Sequence, residues 1–144
     1  PSPRAGHSAV LMNGNLLVVF GGGNSLGPLN DLHIMDTSIM EWYQPKAYGT
    51  PPSPRAGHTA TQIFSNQMLV FGGGYLDKVS NDLHIIDIGP FGPESQSGVW
   101  SRPSDTGTVP IPRAGHTCNA IGSRLYVFGG GDADDVFNDL HVLD

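Results

Sequence analysis

Pro3-Arg4-Ala5-Gly6-His7, then Phe20-Gly21-Gly22-Gly23, then Asn30-Asp31-Leu32-His33 is the stretch that decides the fold, because the chain writes it three times. It returns as Pro54-Arg55-Ala56-Gly57-His58, Phe71-Gly72-Gly73-Gly74 and Asn81-Asp82-Leu83-His84. The third copy is Pro112-Arg113-Ala114-Gly115-His116, Phe128-Gly129-Gly130-Gly131 and Asn138-Asp139-Leu140-His141. The opening prolines are 51 and 58 residues apart, and in every copy the Asn lies nine residues beyond the first marker Gly. A final Asp36, Asp87 or Asp144 follows that Asn by six. Self-similarity at such a period signals an array of equal structural units.

Within a unit the pattern is that of short strands divided by turn chemistry: about His7 to Met12, Leu16 to Phe20, Leu32 to Met35 and a short one around Trp42. Asn13-Gly14 predicts a two-residue hairpin turn, since both residues tolerate positive φ. Four antiparallel strands per unit make a propeller blade. Phe-Gly-Gly-Gly closes the second strand, where backbone without Cβ can turn sharply and approach a neighbouring sheet. Leu32/Ile34, Leu83/Ile85 and Leu140/Val142 alternate with the histidine positions as one buried face. Trp42 and Trp100 are expected to pack over the outer strands.

The order Pro-Arg-x-x-His, strand, Gly-Gly, Asn-Asp-Leu, Asp, Trp resembles the kelch repeat. The resemblance implies an all-β fold, a kelch-type β-propeller of about three four-stranded antiparallel blades. Blade one is 3–53, blade two 54–111 and blade three 112–144, which stops before a fourth strand. Blade two carries a seven-residue insertion within Ile88 to Val99, because Trp42 follows Asp36 by six residues but Trp100 follows Asp87 by thirteen. Propellers close with four to eight blades, so 1–144 reads as part of a six- or seven-bladed ring whose remaining blades belong to the same protein. Two half-rings could pair, with a gap expected at each seam where blade three lacks its last strand.

Composition agrees with many turns and limits the partners. Gly 20 and Pro 12 with 14% charged residues suit short strands. The longest apolar runs, such as Leu16 to Phe20, hold five residues, against about 20 for a membrane span. A net charge of −6 opposes phosphate backbones and anionic lipid, so neither nucleic acid nor membrane is expected as partner. The single Cys118 cannot form an internal disulfide, and a reducing compartment, cytoplasm or nucleus, is favoured.

Groups that recur in every blade serve the blade most simply. His7, His58 and His116, like His33, His84 and His141, sit one per blade and too far apart to share a metal. The Arg4, Arg55, Arg113 and Asp31, Asp82, Asp139 sets are expected to tie one blade to the next. The Gly runs lack the Gly-Lys-Ser/Thr of a phosphate loop, Cys118 takes the place of Ala9 and Ala60, and Asp132, Asp134 and Asp135 lack calcium-loop spacing. No catalytic residue, cofactor or metal is expected.

Function is therefore sought where blades differ. Antiparallel order puts the loops Asn24 to Leu29, Tyr75 to Ser80 and Asp132 to Phe137 on one side, with the linkers Tyr43 to Ser53 and Ser101 to Ile111. Variable loops on a rigid scaffold are the usual home of binding residues. The candidates are Tyr75, Asp77, Lys78, Asp132, Asp134, Asp135 and Phe137, facing a protein or peptide partner of basic character. The insertion, on the opposite side, is read either as a second contact through Phe91 or, as is commoner for a Gly/Pro/Ser loop, as a tolerated elongation. The leading expectation is a protein-interaction scaffold or adaptor without enzymatic activity. The rivals are a propeller attached to an enzyme whose site lies elsewhere, and a structural assembly element.

Overall fold

A computed structural model describes residues 1–89, 97–104 and 107–144, and every element in it is a strand, turn or bend. Blade one is the sheet β1 (Ser8–Met12), β2 (Leu16–Asn24), β3 (Gly27–Asp36), β4 (Glu41–Tyr43), in that order and antiparallel throughout. Asn13 and Gly14 take φ of 52° and 78° as the turn requires, although three residues separate the paired Met12 and Leu16.

Blade two gains an element that its own pattern does not announce. After β5 (Lys46–Gly49) come β6 (Thr59–Phe64), β7 (Gln67–Phe71), β8 (Gly74–Tyr75), β9 (Lys78–Val79), β10 (Leu83–Ile88) and β11 (Ser97–Ser101). The sheet runs β5-β11-β10-β7-β6, with β5 parallel to β11. The segment expected as a plain linker from blade one thus forms the outermost strand of blade two. Blade three has β12 (Thr117–Ile121), β13 (Arg124–Phe128) and β14 (Leu140–Leu143), three strands among the described residues. The insertion's Phe91 lies outside the described residues.

Each strand has two faces, and the apolar clusters lie between blades rather than within them. Leu16, Val18, Phe20, Leu32 and Ile34 of blade one meet Met68, Val70, Ile86 and Trp100 of blade two. On the other face of blade two, Leu69 and Phe71 meet Leu125 and Val127 of blade three. Burying a Phe or Leu contributes about 1.5–3 kcal/mol, so these junctions dominate the stability of the array.

Neighbouring copies decide burial at equivalent positions. Trp100 is 3% exposed, 5.1 Å from the Phe20 ring of blade one, whereas Trp42, against which none of the described blades packs, is 40% exposed. Leu140 and Val142, expected inside, are likewise exposed, on a face that none of the described blades covers.

The marker glycines hold the junctions close. Gly57 N–H donates to Gly6 O (3.0 Å) and Gly115 N–H to Gly57 O (2.8 Å). Gly72, at φ 65°, leaves no room for a Cβ, which would stand 2.8 Å from both Arg113 O and His116 Cε1 of blade three. The marker histidines fill the same junctions. His58 Nε2 shares a hydrogen bond with Ser8 Oγ (2.9 Å), and its ring stands edge-on to Phe20. His116 repeats this with Thr59 Oγ1 (2.8 Å) and Phe71. Burial, aided by the Arg55 charge, pushes His58 down to about 4; burial and Arg113 do the same to His116.

Both rings are therefore neutral in the fold, while an unfolded His titrates near 6.5. Between those values the unfolded chain binds more protons, so the stabilisation is present above about pH 6.5 and lost as pH falls toward about 4. Unfolding free energy from denaturant titration should fall across that window by on the order of 3 kcal/mol per histidine, and His58→Gln should remove about one proton from the slope. A flat profile between neutral pH and 4 would contradict the buried, neutral assignment.

Candidate partner-binding surface

The surface rests on a clamp repeated in each blade. Arg55 is buried and grips Asp82 with both guanidinium arms, Nη1 to Oδ1 at 2.6 Å and Nη2 to Oδ2 at 3.0 Å, while Nη1 also reaches Gly72 O (2.8 Å). His84 Nε2 adds a bond to Asp82 Oδ2 (3.0 Å). Blade one repeats the clamp with Arg4, Asp31 and His33, and blade three with Arg113, Asp139 and His141. The Arg4 guanidinium holds the Asp31 carboxyl down at about 2 against the opposing effect of burial, with help from His33. Burial raises Asp82, but His84, Arg55 and Ser80 outweigh it and keep that carboxyl well below the usual range. Arg113 does likewise for Asp139.

The clamps correct one expectation. Each Arg and its Asp lie in the same blade, so the side chains brace a single blade from strand one to strand three. Blades are joined by the Arg backbone instead: Gly22 N–H donates to Arg55 O (2.9 Å) and Gly73 N–H to Arg113 O (2.9 Å). The marker Asn supplies a third tie, with Asn30 Nδ2 on Pro52 O (3.1 Å) and Asn81 Nδ2 on Pro110 O (3.0 Å). That bond holds the incoming linker beside the hairpin and confirms that the two share a side.

What the clamps support are short hairpins, where loops were expected. In blade one β2 and β3 stay paired through Gly22↔Leu29, Gly23↔Pro28 and Asn24↔Gly27, so only Ser25 and Leu26 form the tip. In blade two β8 and β9 pair Gly74↔Val79 and Tyr75↔Lys78, leaving Leu76 and Asp77. Blade three has a single bridge, Gly131↔Val136, and a four-residue turn in which Asp132 Oδ1 accepts the amides of Asp134 (2.9 Å) and Asp135 (2.8 Å). Each hairpin base is also bridged to its own marker segment, Ala5↔Gly23, Ala56↔Gly74 and Ala114↔Gly131.

Tyr75, Asp77, Lys78, Asp132, Asp134 and Asp135 are all exposed on these tips. Phe137 is half-buried, with the Arg113 guanidinium 4.7 Å from its ring centre. Sequence reasoning passed over three aliphatic residues that the structure puts outermost: Leu26 at 95% exposure, Leu76 at 83% and Val136 at 92%. Leu76 also holds φ 56°, an uncommon conformation for a side chain other than Gly, Asn or Asp and one found at binding sites. An aliphatic residue among turn formers was the available signal. Cys118 is half-buried, burial raising its thiol. Among the described residues no three His, Cys, Asp or Glu side chains gather as metal ligands.

With the blades and their clamps described, comparison with known proteins decides the family. Residues 1–144 match the family described as KLHDC2/KLHL20/DRC7 Kelch-repeats domain. The chain belongs to the kelch-repeat family. It is 41% identical over 133 residues to acyl-CoA-binding domain-containing protein 5 of Arabidopsis thaliana, covering 92% of this chain and 19% of that protein. It is 41% identical over 135 residues to the Rho GTPase-activating protein gacHH of Dictyostelium discoideum, covering 92% and 9%. A third kelch relative, the mouse Rab9 effector protein with kelch motifs, is 38% identical over 140 residues, covering 96% and 36%. The kelch segment thus spans about a fifth of the first relative's length and about a third of the mouse protein's.

Removing one partner of a buried ion pair costs about 3–5 kcal/mol, so Arg55→Met should lower unfolding free energy by that amount in denaturant titration. Asp134→Asn, on an exposed tip, should shift it by less than about 0.5 kcal/mol. Equal effects would contradict the division between clamp and tip.

Proposed function

We propose that this kelch array is a protein-binding scaffold without chemistry of its own, and that its partner docks on the side carrying the three hairpin tips and the linkers. The observation that carries the reading is the contrast between base and tip. The repeated Arg and Asp markers and the buried His58 and His116 are spent on their own blade or its neighbour, while Leu26, Leu76, Val136 and Tyr75 stand exposed on braced hairpins. Exposed apolar side chains on a fixed frame have the properties of interface anchors, which need little ordering on binding. On the tips Asp77, Asp132, Asp134 and Asp135 outnumber Lys78, with Lys46 and Arg102 lying in the linkers, which favours a partner with a basic rim around an apolar contact.

The relatives support a scaffold. Proteins named for acyl-CoA binding, Rho GTPase activation and Rab9 effector function share this segment at about 40% identity. One frame serving differently named proteins fits an interaction module better than a site of catalysis. The Rab9 effector relative additionally points to a protein as the class of ligand.

Affinity capture with the whole chain, compared with the Leu26→Ser, Leu76→Ser, Val136→Ser triple variant, tests the reading. Loss of one anchoring side chain costs about 1–2 kcal/mol, so specifically captured proteins should fall at least tenfold while the thermal midpoint is unchanged. Asp134→Asn with Asp135→Asn should weaken capture and reduce its salt dependence. An unaltered captured set from the folded triple variant would refute this surface.

A further inference from the structure

Blade two sets a serine beside two arginines, an arrangement the other described blades do not repeat. Ser53 Oγ accepts from Arg55 Nη2 (3.0 Å), and the Ser53 carbonyl accepts from Arg55 Nε (3.0 Å). A second guanidinium stands on the same clamp. Arg102 Nη2 donates to Asp82 Oδ2 (3.3 Å), the oxygen that Arg55 Nη2 also holds (3.0 Å). Strand pairing explains the meeting: β5 runs parallel to β11 with Gly49 opposite Trp100, so residues 50–53 and 102–104 leave the sheet at the same end. In a chain of net charge −6, this spot holds two arginines for one aspartate.

The clamp does not need the hydroxyl. Blade three has Ile111 in the place of Ser53, and Arg113 still bonds Ile111 O through Nε (3.2 Å) and Asp139 through both arms (2.6 and 2.8 Å). Blade one keeps a serine, Ser2, on Arg4 Nη2 (3.1 Å). There Gln44 takes the place of Arg102, two residues beyond the tryptophan.

Ser53 is also presented as a substrate. It is exposed, as are Thr50, Pro51 and Pro54 around it, and residues 50–53 belong to no strand. A residue that precedes proline is held extended, which applies to Thr50, Pro51 and Ser53. Proline-directed kinases take a serine in an extended segment with proline directly after it. We propose that Ser53 is a phosphorylation site for a kinase of that class, and that Arg55 and Arg102 hold the phosphate. Transfer forms the bond from Ser53 Oγ to the γ-phosphorus of ATP and breaks the bond to its bridging oxygen. That oxygen leaves on ADP, and the hydroxyl proton passes to the kinase's base.

The product carries nearly two negative charges and three acceptor oxygens. Asp82 repels it, so the outcome turns on which arginine can move. Arg55 is buried and two-pronged on Asp82, and it stays while sharing Nη2. The Arg102 side chain is 57% exposed and holds Asp82 by one arm, a pairing that contributes little, so it turns to the phosphate. The linkers carrying Ser53 and Arg102 are then tied together on the side of the hairpin tips. The site holds whether or not those tips bind a partner.

The whole chain, incubated with ATP and separately with a mitogen-activated and a cyclin-dependent kinase, should carry phosphate on Ser53 by peptide mass spectrometry. Ser53→Ala should abolish that label, and Thr50→Ala should leave it. In phosphorus-31 NMR the Ser53 phosphate should titrate at about 5 instead of its usual value of about 6, because two guanidinium groups favour the dianion. Arg102→Gln, at an exposed side chain, should return it toward that usual value. A folded chain that neither kinase modifies at Ser53 overturns the site. A Ser53 phosphate that titrates as usual with Arg102 in place overturns the part given to the arginines.

Discussion

A kelch blade has two apolar faces and no interior of its own, and the rest of the structure answers to that constraint. Phe20 is buried only because blade two stands against it, and Phe71 because blade three does. Packing two sheets this closely requires glycine at the point of contact, as at Gly72 beneath Arg113 and His116. It also favours polar groups at the junction that carry no charge, even though the Nδ1 atoms of His58 and His116 are buried without a hydrogen-bond partner. A neutral histidine sharing one bond with Ser8 or Thr59 meets that need, which a buried cation would not.

The same economy explains where charge is allowed. Arg55 and Arg113 are among the most buried side chains in the chain, and each is matched in two-pronged geometry by an aspartate and capped by a glycine carbonyl. Such a pair is a poor stabiliser relative to apolar packing, yet it fixes geometry, since a carboxylate and a guanidinium fit in few ways. Its effect here is to fix the base of each hairpin against the start of its own blade. The tips are then free to differ without disturbing the sheet. Leu76 in a left-handed conformation on a braced tip is what such a division permits.

Much of this was legible in the residues. Threefold repetition of the markers gave the blades, and alternation gave the faces. What the residues did not carry was context. Trp42 and Trp100 hold the same place in the motif but differ in burial because blade one packs over Trp100 and none of the described blades packs over Trp42. Lys46–Gly49 has no apolar pattern; its strand character comes from the open edge of β11. The tip segments, rich in Gly, Asn and Pro28, look like loops because those residues favour turns, and only the bridges from Ala5, Ala56 and Ala114 make hairpins of them. Arg and Asp recur at matching places, which told that they were paired but not that each pair stayed within one blade.

The central claim, that the repeated markers brace each blade and join it to its neighbour while the divergent tips are free surface, is tested most directly by residue-resolved amide hydrogen exchange. The Gly22, Gly73, Gly57 and Gly115 amides, bonded across junctions to Arg55, Arg113, Gly6 and Gly57 carbonyls, should exchange among the slowest in the chain, near the rate set by global unfolding. Amides of Ser25, Asp77 and Ala133 should exchange orders of magnitude faster. Marker glycines that exchange as fast as the tips would contradict the account.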